Sequence, residues 1–461
     1  MFRVLSQVLP REVILVAASE MLFSAIGIYL ALHVTAEIGI SPTNLITGQL
    51  NLVIILILGF TITASVLGLY RSETIFDFNN LVAKSIVAAL LALLATMLLP
   101  AALYQHSSSL SAPIGDPLIA VALSWLGCLA ATQLAFFVVR QRQLLARRIV
   151  IVALPGEGAR FRRFVAAGRC RPFEDIRLLE PASDGGGEGC AARFAPEALR
   201  RARIWGVVVA EGSDRALPAS ALLDLRLRGV RVLTEAAFWE REGCWIDVDG
   251  ADLSWVFDRY GFRHGRVAEA AKRLLDLAVA SGLIVATLPV MLLTAILIKL
   301  ESAGPVLYCQ ERVGRHGRTF VLYKFRSMRR DAETPGAPQW AAVGDPRVTA
   351  IGRFIRCTRI DELPQLFNVL RGEMSVVGPR PERPFFVDQF VHSIPFYAQR
   401  HCAKPGITGW AQVSAPYGAS LEEARDKLRY DLYYVKNRSF LLDLWILACT
   451  VRTVLLRQGA R

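Results

Sequence analysis

The stretch RIDELPQLFN, Arg359 to Asn368, sets two carboxylates side by side, Asp361 and Glu362, behind cations at Arg353, Arg356 and Arg359 and ahead of Pro364. Thr358 and Asp361 have capping-box spacing, and Pro364 falls where a first helical turn tolerates it. Leu363, Leu366, Phe367 and Leu370 mark the buried face of that helix, and Gly372 suits its C-terminus. The two acids then lie at the positive end of a helix dipole. Taken alone, such a pair caps a helix. Further cations at rigid turns change its meaning. In YKFRSMRRDAE the alternation of a strand puts Lys324 and Arg326 on one face. VVGPRPE holds Arg380 between two prolines, and KPGITGWAQV brings Lys404 into a Pro/Gly-rich loop beside Trp410, whose ring can stack on a base or lie at a membrane interface. LRYDLYYVKN adds Asp431 among tyrosines. Cations at several rigid turns around a carboxylate pair suit phosphoryl transfer. The cations and a Mg²⁺ would neutralise phosphate charge, and a carboxylate would attack, as an aspartate can do covalently. The same positive surroundings would keep Asp361 ionised.

These residues need a scaffold. At 53% hydrophobic and 20% charged, the chain of 461 residues is too apolar for an ordinary soluble protein and too charged for a pure membrane bundle. A mixed protein follows. A net charge of +13 points to anionic lipids and phosphorylated substrates. No nucleic-acid motif accompanies the charge, so nucleic acid is not an expected partner. The cysteines form no CxxC pair and no zinc-spaced cluster, as free thiols in a reducing compartment would.

Four apolar stretches come first, Val13 to His33, Leu50 to Leu69, Leu81 to Leu103 and Leu118 to Val139, each long enough to cross a bilayer. Arginine concentrates before the first, between the second and third, and after the fourth, which places those segments in the cytoplasm. Residues 1–144 are therefore read as an α-helical membrane domain with four spanning helices. Residues 145–262 alternate strand and helix, as an α/β Rossmann-like cytoplasmic domain would. Only Gly156 and Gly158 of a GxGxxG fingerprint follow its first strand, so a domain without its nucleotide is expected. Residues 263–461 form an α/β monotopic unit with a re-entrant helix over about 271–299: both its flanks are basic, at Lys272, Arg273 and Lys299, and Pro289 breaks the membrane segment near its middle. Arg266, Lys272 and Arg273 would then sit at the head groups.

From about Arg266 onward the chain resembles the bacterial polyprenyl-phosphate glycosyl-1-phosphate transferases. The resemblance rests on KRLLDL, YKFRSM, RIDELPQLFNVLRGEMSVVGPRP, KPGITGWAQV and DLYYVKNRSFLLDLWIL, in that order. The whole chain is similar to the long form of the family, in the branch associated with exopolysaccharide assembly. The resemblance implies transfer of a hexose-1-phosphate from a UDP-sugar to undecaprenyl phosphate with release of UMP. Asp361 would be the nucleophile and a Mg²⁺ ligand, and Glu362 its partner as acid or base. Lys324, Arg326, Arg356, Arg380, Lys404 and Asp431 would serve substrate binding. Two departures stand out: Leu288-Pro289 replaces the usual Ser-Pro, with Thr287 one position earlier, and SAPYGAS replaces the Asn-Gly-Arg that often follows GWAQV. Thr287 could satisfy a carbonyl freed by the proline, and Tyr417 could stand in for the missing arginine.

The competing readings are a non-catalytic scaffold of a polysaccharide assembly complex, a transporter with five or more spans, and an NAD-dependent enzyme housed in the α/β domain. Which sugar is transferred stays open. The expected place is the bacterial inner membrane, multi-pass, with both soluble domains cytoplasmic. Expected partners are a second copy, through the sheet domain, and downstream polysaccharide glycosyltransferases. The topology is testable: a cysteine introduced near Ser420 should be protected from an impermeant thiol reagent in intact cells, whereas labelling of the folded protein would establish a fifth span.

Overall fold

The computed structural model describes residues 147–153, 173–179, 204–213, 219–249, 265–329, 345–415 and 420–455, with a few single positions besides. The four N-terminal apolar stretches lie almost wholly outside the described residues, as do Gly156, Gly158 and Tyr417. The chain divides into two compact units, Met1–Glu235 and Ala236–Arg461.

The first unit contains a four-stranded parallel sheet: β1 (Arg147–Val152), β2 (Phe173–Leu179), β3 (Ile204–Val209) and β4 (Arg231–Thr234), in the order β2-β1-β3-β4. Near-continuous apolar runs such as IVIV and GVVV are what a parallel sheet covered on both faces requires. Val150, Val152, Val207 and Leu225, the last on α1 (Ala219–Leu227), form its core. Among the described strands the order is 2-1-3-4, as in flavodoxin-like sheets, rather than the 3-2-1-4 of dinucleotide-binding domains.

The second unit begins well before the boundary expected at residue 262. The segment after Ala236 finds its partners within that unit: Lys436 pairs with Glu240 at 2.8 Å, Ile246 N donates to Arg429 O at 3.1 Å, and Trp410 Nε1 donates to Cys244 O at 2.8 Å. Trp410 is thus an internal joint rather than an open stacking surface.

Helix α2 (Arg266–Glu301) runs 36 residues, ~54 Å at 1.5 Å per residue, with Pro289 inside it. By length and composition it could cross a membrane, the one such helix among the described residues. Its flanking charges are used differently from the expectation. Lys272 bonds Asp443 at 2.7 Å and Val377 O at 3.2 Å, and Arg273 donates to Val369 O and Leu370 O at 2.7 and 2.8 Å. Both side chains face inward instead of toward head groups. Asp276 completes this docking by accepting from Ser375 Oγ and Val376 N at 2.9 and 3.0 Å. Thr287 donates to Leu283 O, at 2.7 Å, whereas the carbonyl that Pro289 deprives of its partner is that of Val285. The hydroxyl does not repair the break.

Beyond α2, β5 (Leu307–Val313) and β6 (Thr319–Phe325) form an antiparallel hairpin. There follow α3 (Ala350–Cys357), a 3₁₀ turn (Ile360–Glu362), α4 (Gln365–Arg371), β7 (Ser375–Val377), α5 (Pro384–Ser393), a second 3₁₀ turn (Tyr397–Cys402), β8 (Gly406–Thr408), α6 (Trp410–Ser414), α7 (Leu421–Asn437) and α8 (Phe440–Leu455). Met291 and Ile298 of α2 pack with Phe325 and Ile355. Full burial of such side chains is worth roughly 1.5–3 kcal/mol each. Elements near both ends of α2 therefore bear on one compact unit. Asp443, fully buried, joins Lys272 of α2 to the Tyr434 hydroxyl of α7 at 2.8 Å. Asp443→Ala should cost about 3 kcal/mol, the low end for breaking a buried pair, because Lys272 then keeps only Val377 O at 3.2 Å and Asp276 at 3.9 Å; a thermal melt of the detergent-solubilised protein measures it, and an unchanged Tm would refute this account of the docking.

Candidate active site

The acids do not open a helix through a capping box. Thr358 ends α3 instead, its hydroxyl donating back to Phe354 O at 2.9 Å. Arg359 then takes a left-handed conformation, φ 61° and ψ 14°, which costs a side-chain-bearing residue roughly 1–2 kcal/mol. That reversal delivers Ile360–Glu362 as a separate 3₁₀ turn ahead of α4. The buried face of α4 is Gln365, Leu366, Asn368 and Val369, while Phe367 is exposed, contrary to the periodicity read from sequence. The shift follows from the later helix start: α4 begins at Gln365, not at the acids.

The two carboxylates have opposite surroundings. Glu362 is gripped by cations: Oε1 receives Lys324 Nζ at 3.0 Å and Arg380 Nη2 at 3.1 Å, and Oε2 lies 3.9 Å from Arg359 Nη1. Burial opposes its ionisation, but Lys324, Arg380 and Arg359 outweigh it and hold its pKa far below the carboxylate range. Such a group holds no proton at neutral pH, and its ion-pair partners among the described residues are these three cations. Asp361 is buried as well, yet accepts no hydrogen bond from any described residue. Burial raises its pKa to about 6; Lys324 and Arg356 pull down, and the Glu362 charge pushes up. Asp361 is ionised at neutral pH by a narrow margin, against the expectation of a comfortably charged group.

Each cation has a traceable support. Lys324 sits near the end of β6, which Asn368 ties to α4: its Oδ1 accepts from Tyr323 N at 3.2 Å and its Nδ2 donates to Val321 O and Glu373 at 2.7 Å. Arg380 projects from a turn in which successive carbonyls each receive a donor. Pro379 O accepts from Gly406 N at 2.9 Å, Arg380 O from Arg400 at 3.0 Å, Pro381 O from Arg312 at 2.9 Å and Glu382 O from Val313 N at 3.0 Å. The β7–β8 pairing that brings these strands together depends on glycines: a Cβ on Gly406 would lie 2.1 Å from Gly378 N, and one on Gly378 2.2 Å from Lys404 O. Gln412 takes Arg380 Nη1 at 3.1 Å.

The other expected residues are placed elsewhere. Arg326 follows the strand, and its guanidinium donates to Ser302 O at 2.8 Å and Ala303 O at 3.0 Å, holding the C-terminal end of α2. Strand parity put it on the face of Lys324, but the chain end it had to cap decided its direction. Lys404 lies beside Arg273 at Gly372, the C-terminal end of α4. Asp431 bonds Arg400, not the cluster itself. Arg356 brings positive charge to Asp361 from the last turn of α3. Asn368, Gln412 and Arg400 were not anticipated. The available signal was polarity out of place: Asn368 interrupts the apolar stripe of α4.

The raised pKa has a consequence for stability. A carboxyl whose pKa rises on folding costs nothing below its unfolded value near 3.8 and costs most above about 6, here of order 3 kcal/mol. Asp361→Asn should therefore raise Tm by several degrees at about pH 7.5, a gain that fades toward nothing as pH falls to about 4. Equal melting of variant and parent across that range would refute the burial penalty.

Residues 267–457 match the model of the family described as bacterial sugar transferase. Over 190 residues the chain is 54% identical to a UDP-N-acetylgalactosamine-undecaprenyl-phosphate N-acetylgalactosaminephosphotransferase of Aeromonas hydrophila, covering 41% of this chain and 45% of that protein. It is 43% identical over 198 residues to a UDP-glucose:undecaprenyl-phosphate glucose-1-phosphate transferase of Caulobacter vibrioides, covering 42% of this chain and 74% of that one. A protein of the latter description from Escherichia coli K12 is 41% identical over 182 residues, 39% of each chain. The chain thus spans less than half the length of the first of these relatives.

Proposed function

Since the chain belongs to the bacterial sugar transferase family, we propose that it transfers a hexose-1-phosphate from a UDP-sugar to undecaprenyl phosphate and releases UMP. The observation that carries this reading is the asymmetry of the two acids: Asp361 is buried, charged and unengaged, while Glu362 holds Lys324 and Arg380 one residue away. A carboxylate free of hydrogen bonds is a stronger nucleophile than one that cations already satisfy. In the first half-reaction an Asp361 oxygen bonds the sugar-bearing phosphorus, and the bond from that phosphorus to the bridging oxygen breaks, so UMP leaves with the electron pair. In the second, an oxygen of undecaprenyl phosphate attacks the same phosphorus and frees the Asp361 carboxylate. Lys324 and Arg380, with Arg356 behind, meet the diphosphate charge as it shifts to the leaving UMP. Raising Asp361 to about 6 makes it a better nucleophile without protonating it at neutral pH.

Among the described residues no group of three or more His, Cys, Asp and Glu side chains could hold a metal by itself. Mg²⁺ does not need one: it binds through one or two carboxylates, water and substrate phosphates. The unengaged Asp361 carboxylate fits as its protein ligand, and the ion would neutralise phosphate charge when bound.

We also propose that α2 enters one leaflet and returns, as a re-entrant helix at the inner membrane, with the acceptor's phosphate presented to the site beside it. Supporting this, Lys272 and Arg273 near its start and Met291 and Ile298 near its end all bear on the same unit. A straight span would part those ends by about 30 Å of hydrocarbon. Exposed side chains between and around them, including Leu283, Val285, Leu288 and Leu292, supply the lipid-facing surface.

The reaction is tested by UMP release from a panel of UDP-sugars, UDP-N-acetylgalactosamine and UDP-glucose first, with Mg²⁺ and undecaprenyl phosphate. One sugar should support multiple turnovers only with lipid present, and Asp361→Asn should be folded and inactive. Near-normal turnover by that variant would remove Asp361 as nucleophile, and no release with any sugar would favour the scaffold reading.

A further inference from the structure

Arg400, in the second 3₁₀ turn, is 5% exposed, and Asp431, on α7, is 2% exposed. Nε and Nη2 of Arg400 both donate to Asp431 Oδ2, at 3.1 and 2.7 Å. Burying two charges seldom yields net stability over an apolar pair, so the arrangement calls for another use. The remaining donors indicate it. Nη1 donates to the Tyr397 hydroxyl at 2.9 Å, and Nη2 also reaches Arg380 O at 3.0 Å. Arg380 stands between Pro379 and Pro381. The proline rings lock φ on either side, and a residue before proline is confined to extended ψ. The direction of the Arg380 carbonyl follows that ψ, so a rigid donor against it narrows further the freedom that the prolines leave to the turn. The Arg380 guanidinium, on Glu362 and Gln412, inherits the constraint.

We propose that Arg400, held by Asp431, is a positioning residue: it fixes the Arg380 carbonyl and thereby aims the Arg380 guanidinium at Glu362 and at the diphosphate of the nucleotide sugar. This rests on the donor-binding role given to Arg380 above. Asp431, expected from sequence to bind substrate, acts through Arg400 without touching it.

Arg400→Lys keeps a charge opposite Asp431 but loses the planar fork that spans Asp431 and Arg380 O. In the full-length protein the variant should melt within a few degrees of the parent, with KM for the UDP-sugar raised about tenfold and kcat within about threefold. Added to Arg380→Lys, it should raise KM no further; full additivity of the two effects would overturn the proposal. An experimental structure of Arg400→Lys supplies a readout independent of turnover. A displaced Arg380 guanidinium that has left Glu362 is expected, and an unmoved one overturns the proposal. Absent UMP release from the parent, with Arg380 displaced in the variant, would sink the reaction and not the positioning. Should Arg400→Lys fail to fold, Arg400→Met with Asp431→Leu removes both buried charges together, and the same displacement is required of it.

Discussion

One carboxylate oxygen, Oε1 of Glu362, receives both Lys324 and Arg380. The two cations come from distant parts of the chain, a hairpin strand and a proline-bounded turn, and like charges of this kind would separate without an anion between them. Glu362 is that anion, and its ionisation depends on their presence. The dependence is mutual. Asp361, the next residue along, accepts no hydrogen bond from any described residue; burial, with a smaller push from the Glu362 charge, raises its pKa, while Lys324 and Arg356 pull it down.

The surrounding structure holds that grip in register with the long apolar helix α2. Arg273 of α2 caps the C-terminal carbonyls of α4, whose N-terminal side carries the acids. Arg326, two residues beyond Lys324, caps the other end of α2 at Ser302 and Ala303. Each arginine satisfies carbonyls that a helix end leaves open. Together they tie both ends of α2 to the elements bearing the reactive group and its cation. The position of the acid pair and of Lys324 relative to the apolar helix is thus set by hydrogen bonds rather than by a flexible tether.

Much of this was legible in the chain. Apolar runs disclosed the parallel sheet, hydropathy disclosed α2, and the ordered motifs around Asp361 and Arg380 disclosed the family. The misreadings share a cause. Thr358 and Asp361 have capping-box spacing, but spacing carries no information about the left-handed turn at Arg359 that separates them. Arg326 shares strand parity with Lys324, but parity does not reveal which orphaned carbonyls lie nearby. Lys272 and Arg273 look like membrane-flanking charges because charge beside an apolar run is ambiguous until a buried Asp443 or an open helix end claims it.

What the sequence by itself determined, then, is the inventory: which groups could attack, which could neutralise, and which segment could enter a bilayer. Those are properties of residue type and local period. Which acid is held by cations and which is not, and which arginines meet backbone carbonyls and which lie at the acid pair, was decided only by tertiary structure. Asp361 and Glu362 are chemically near-identical neighbours. Their surroundings diverge because cations from β6 and from the Pro379–Pro381 turn, brought in across the fold, reach one carboxylate directly and leave the other buried with no hydrogen bond from a described residue.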